Sequence, residues 1–237
     1  MPTENRWFDS SELREMARPT MDRAIEALDR GDVAAARELC DQMRYEWRFL
    51  HDLMAESMLG LISFIQERFG EDSVADAWRS ALSKGWKRDT EKIVERDRRE
   101  IVDALAATWR AHSASGTGPN PGAFSIEEDD EKFTFRMNPC GSGQRLWLRG
   151  KYEGEDAYGV TKEAHDWSYD RKDFPLYCTH CTFMNELLPI KWYGVPLYPS
   201  EPPADFTHDP CTWYWYKDAA DIPKKYWERY GEQPPVR

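Results

Sequence analysis

The stretch SASGTGPNPGA, residues 113–123, divides the chain into two textures that no single periodicity spans. Small and turn-forming residues with two prolines cannot continue a helix or a central strand, so a linker is expected over 114–124. The N-terminal side reads as helix. SSELREMA offers Ser10 and Ser11 as N-caps and runs into Pro19, where the next helix begins and ends at Gly31. From Asp32 the pattern continues as one long helix to about Gly70, with Met43, Trp47, Leu50, Met54, Met58 and Leu61 on one face. EDSVADAWRSALSKG is a shorter helix that Gly85 can close, and KRDTEKIVERDRREIVDALAATWRAH is another, laced with opposite charges at helical spacing. Residues 8–113 are thus expected to form four or five helices.

After the linker the pattern changes. KFTFRMN alternates Phe133, Phe135 and Met137 as a half-buried strand does, and RLWLRG could pair with it in a hairpin around PCGSGQ. CTWYWYK reads as a late strand with Trp213 and Trp215 on one side and Tyr214 and Tyr216 on the other. CTFMNELLPI suits a short helix, and the proline-rich segment between it and the late strand is irregular. The expected class is α+β: an N-terminal helical bundle, then a smaller α+β domain over 125–232 with a short antiparallel sheet and a Cys/His metal site.

A formal charge of −11 argues against a nucleic-acid partner, because phosphate binding needs a basic face. No apolar run approaches the roughly 20 residues of a membrane span. The N-terminus lacks the basic-then-apolar form of a signal peptide, so a cytoplasmic location is expected, where thiols stay reduced. Five cysteines, an odd number, also fit poorly with a disulfide framework.

Clustered cysteines therefore point to metal or redox use. Cys40 stands alone in the long helix and reads as core packing. The other four, Cys140, Cys178, Cys181 and Cys211, fall in the second half with His165, His180 and His208. CTHC followed by HDPC gives C-x₂-C…H-x₂-C, and zinc takes tetrahedral thiolate and imidazole ligands from closely spaced pairs. Cys140, in NPCGSG, competes with His208 for the fourth place, since successive N–H groups in that turn could stabilise its thiolate. Iron or an iron–sulfur cluster is the alternative occupant. A closed four-thiolate site would only hold the chain together, whereas three protein ligands leave a place for activated water.

Other residues carry weaker signals. Glu46 and His51 sit at the edges of the apolar face of the long helix, where either could reach a pocket or be satisfied by a neighbour. His165 reads as a surface residue. The aromatic crowd of the second half could line a pocket for a flat ligand or form the core of the sheet. GSGQR lacks a Walker lysine and a Rossmann fingerprint, and no G-x-S-x-G or H-E-x-x-H motif occurs.

On NPCGSG…R, YCTHC and DPCTWYWYK, the second half resembles a bacterial Cys-rich family that joins a helical N-terminal part to a Cys-rich C-terminal part. More distantly, Cys178, Cys181, Cys211 and the final strand look like the families related to L-2-amino-thiazoline-4-carboxylic acid hydrolase and the vinyl-reductase-type ligand-binding domains. That resemblance implies small-molecule chemistry and no catalytic assignment. The expected function is a zinc-type metal-dependent enzyme on a small, aromatic organic substrate, hydrolase- or lyase-like. His180 would be its acid/base and Arg145 its anion-binding group. The rival readings are a non-catalytic small-ligand-binding or interaction protein with a structural zinc, and a thiol redox protein using Cys178 and Cys181.

Overall fold

The computed structural model describes residues 7–94, 98–114, 124–137 and 139–235, so most of the expected linker over 114–124 lies outside the described residues. The protein is α+β, with a helical N-terminal part and a small antiparallel sheet. Its helices are α1 (Ser10–Met16), α2 (Thr20–Asp29), α3 (Val33–Phe69), α4 (Glu71–Val94) and α5 (Arg98–Ala114). Two compact units divide inside α3, the first being Met1–Leu50 and the second His51–Arg237.

In the first unit, Asp9 caps α1 and Glu12 returns a bond to the Asp9 N–H, a reciprocal capping box. Among its described residues Ala24, Ala27 and Ala36 are the buried apolar ones, and Glu46 accepts from Thr20 and Gln42. Cys40 is exposed here rather than packed in a core.

In the second unit, α3 buries a different face from the expected one. Ala55, Leu59 and Ile62 enter the core, while Met54 and Leu61 are exposed and Met58 is only partly covered; Leu50, the last residue of the first unit, is exposed as well. The inward face is completed by polar residues with partners. Glu56 pairs with Lys151, Ser63 accepts from the Gly159 N–H, and Gln66 donates to the Val160 carbonyl. Each would be costly to bury unbonded. Gly70, at φ +86°, supplies the left-handed step that ends α3 and lets α4 begin at Glu71.

Helix α4 does not stop at Gly85 but runs to Val94. Beyond the glycine, tertiary bonds hold the helix: Trp86 donates to the Met184 carbonyl at 2.7 Å and Thr90 pairs with the Tyr193 hydroxyl at 2.8 Å.

The strands are β1 (Phe124–Glu128), β2 (Lys132–Met137), β3 (Ser200–Glu201) and β4 (Cys211–Tyr216), ordered β1-β2-β4-β3 and antiparallel throughout. RLWLRG does not pair with β2. It forms helix α6 (Gly143–Leu148), closed by Leu146 N–H to the Ser142 carbonyl, and β2 pairs instead with β1 and β4. Six residues cannot distinguish the two periods, and the backbone turn at Cys140–Ser142 favours the helix.

The β4 alternation holds. Trp213 and Trp215 pack with Phe135 and Met137 against α5, and Tyr214 and Tyr216 pack on the other side against Tyr226 and Trp227. CTFMNELLPI lies in one helical run made of α7 (Thr179–Thr182), a π-helical stretch (Phe183–Leu187) and α8 (Leu188–Tyr193); α9 (Lys225–Glu228) follows the sheet. Among the described residues no helix is long and apolar enough to cross a membrane.

Candidate functional site

Register brings the cysteines together. In the β2–β4 pair Met137 lies opposite Cys211, so the turn leaving β2, with Cys140, and the start of β4 share one end of the sheet. Gln144 locks this end. Its side-chain carbonyl accepts the Cys140 N–H at 2.8 Å and its amide donates to the Asp209 carbonyl at 2.8 Å. Cys178 closes a 3₁₀ turn (Leu176–Cys178) leading into α7, which carries Cys181. Gly143 is required by close approach here, because a Cβ there would lie 2.5 Å from the Cys178 sulfur.

All four cysteines line one cavity of about 110 Å³, walled by Trp109, Tyr169, Phe174, Tyr177, Leu197, Tyr198, Phe206 and Trp213 and reached by His180 and Asn185. Each keeps some accessible surface because it borders this space while lying far from bulk water. Burial raises the pKa of each thiol, and neighbouring thiols add to the effect at Cys178, Cys181 and Cys211. Cys140 is raised by burial too, but the N–H groups of Ser142, Gly143 and Gln144 point at its sulfur and oppose that rise. The thiols are therefore protonated at neutral pH. Among the described residues, no group of three or more His, Cys, Asp or Glu side chains is arranged to hold a metal ion.

His180 lies in the cavity wall against Trp78 and Tyr177. Its Nδ1 contacts the Tyr177 carbonyl, which can only accept, so Nδ1 carries a proton, and Nε2 lies 3.6 Å from the Cys181 sulfur. Arg145 is not in the wall. Its guanidinium engages Asp52 and lies 3.2 Å from His51 Nδ1. His208 is exposed beside Asp205, at 2.8 Å, and does not join the cysteines. The Asp205 carboxylate raises its pKa. His165 is half-buried, stacked on Trp167 and bonded to Glu71 at 2.8 Å. His51 meets Ser142 through Nε2 at 2.7 Å, and burial holds its pKa down.

Three features of the wall carry no sequence pattern. Tyr169 bonds Ser200, which bonds the buried Glu186, at 2.7 Å each. Trp86 and Trp109 have acceptors for their indole N–H groups, yet the buried Nε1 of Trp213 has none among the described residues. Gln144, read only as part of a failed phosphate loop, is the bracket between the two cysteine-bearing turns. The chain matches no family model, no curated protein and no solved structure.

Proposed function

We propose that the chain is an enzyme on a small, largely apolar organic molecule of about one aromatic ring, bound in the cysteine-lined cavity. The observation that supports this is the meeting of four cysteines and an imidazole around one aromatic-walled space. An apolar cavity of ~150 Å³ is known to take benzene, so about 110 Å³ suits a compact ring and little more. Affinity comes from removing apolar surface from water, and orientation from the few polar groups in the wall. Cys181 beside His180 Nε2 is a thiol with an imidazole at hand, the arrangement from which nucleophilic chemistry starts.

A second reading is a zinc-type centre on Cys140, Cys178, Cys181 and Cys211. It is favoured by their convergence and by the three N–H groups aimed at Cys140, and it requires the sulfurs to draw together when metal is loaded.

One preparation separates the readings. Protein purified without added metal is subjected to elemental analysis and then titrated calorimetrically with toluene. The first reading expects saturable one-to-one binding without stoichiometric metal. One zinc per chain, lost in Cys178→Ser and Cys211→Ser, supports the second. Absence of saturable binding overturns the first.

A further inference from the structure

The structure assigns to this cavity a hydroxyl-bearing ring, a molecule of the phenol class, with Tyr169 as the group that receives its hydroxyl. The inference rests on the proposal that the cavity holds a one-ring molecule, and it names the chemistry of that ring.

The hydrogen-bond chain is directional. Glu186 lies fully buried in the π-helical stretch, and its Oε1 accepts both the N–H and the hydroxyl of Ser200, at 2.9 and 2.7 Å. Its Oε2 accepts from Tyr230 at 2.9 Å and Arg229 at 3.3 Å. Above about pH 7 Glu186 is ionised and can only accept, and Ser200 has one hydroxyl hydrogen, so there that hydrogen points at Glu186. The 2.7 Å bond between Tyr169 and Ser200 must then be donated by Tyr169. With its hydrogen used, the Tyr169 oxygen offers lone pairs, and its ring lies in the cavity wall.

A wall that presents an acceptor is matched by a hydroxyl, which donates to it, and is left unsatisfied by a methyl group of the same size. The same chain can carry a proton. The ligand O–H breaks as a bond to the Tyr169 oxygen forms, the Tyr169 proton passes to Ser200 and the Ser200 proton to Glu186. The ligand is left as an oxyanion and Glu186 as a carboxylic acid, with no net change of charge.

The backbone is consistent with a built site rather than incidental knitting of β3 to the helix. Tyr169 and Asp170 both have left-handed φ, +57° and +53°. That conformation is uncommon for a tyrosine, and such strain collects where a side chain must be held in one place. Arg229 covers the Tyr169 ring at 5.3 Å and Phe174 packs on its edge. A π-helical stretch, the setting of Glu186, is likewise a frequent mark of functional segments.

The test is calorimetric titration with phenol and with toluene, on wild type, Tyr169→Phe and Ser200→Ala. The expected result is phenol about tenfold tighter than toluene in wild type, a ratio near one in Tyr169→Phe, and a clear fall in Ser200→Ala. Cooperative urea denaturation of both variants shows that they fold. Equal binding of the two ligands by wild type, or a preference that survives Tyr169→Phe, overturns the hydroxyl assignment and leaves the cavity reading standing. If neither ligand binds, both fall.

Discussion

Arg145 closes on Asp52, a residue on α3 that lies ninety-three positions earlier, and so fastens the cysteine-bearing turn to the long helix. Asp52 also takes Arg149 at 2.9 Å, and Arg145 reaches His51. The pair is largely buried, with side-chain exposures of 12% and 20%, so removing one partner strands the other charge.

Arg145→Ala should therefore lower stability by about 3 kcal/mol in urea denaturation, with Arg145→Lys intermediate because a lysine lacks the planar fork. Toluene binding by the folded fraction should be kept. A variant of full stability that has lost ligand binding would restore Arg145 to the anion-binding role.

Thiol reactivity follows burial. Cys40 is exposed, whereas burial raises the pKa of Cys140, Cys178, Cys181 and Cys211 and so depletes the reactive thiolate. Titration with a chromogenic disulfide at neutral pH should show one fast thiol in the native protein and four slow ones, all five reacting in denaturant. Cys40→Ser should abolish the fast phase. Rapid reaction of Cys178 or Cys181 would instead favour a redox dithiol.

Glu186 gives a signed pH dependence. Burial raises its folded pKa to about 7, against the opposing pull of Arg229, Ser200 and Tyr230, from an ordinary value of 4.5. The folded state thus binds the proton more tightly than the unfolded state. The stability this contributes is present below pH 4.5 and is lost as pH rises to about 7, a change on the order of 3 kcal/mol. Wild type should lose stability relative to Glu186→Gln between pH 5 and pH 8. Parallel pH profiles for the two proteins would contradict the assignment.

The legible and illegible parts of the molecule differ for physical reasons. The length of α3 could be read because Gly31 and Gly70 bracket an unbroken helical pattern. Its buried face could not, because Glu56, Ser63 and Gln66 enter the interior only through partners supplied by residues 151–160. The cysteine spacing pointed to one site, and the four thiols do border one cavity. His208 fitted the same spacing, but Asp205 holds it at the surface. Tyr169, Ser200 and Glu186 lie on three separate segments with no common motif, so only folding joins them.

The central claim is that the cavity at the cysteines takes a single small ring. The most direct measurement is calorimetric titration of the reduced protein with fluorobenzene at several temperatures. The account predicts saturable one-to-one binding with a negative heat-capacity change, the mark of apolar surface leaving water. Heats that never saturate at any temperature would contradict it.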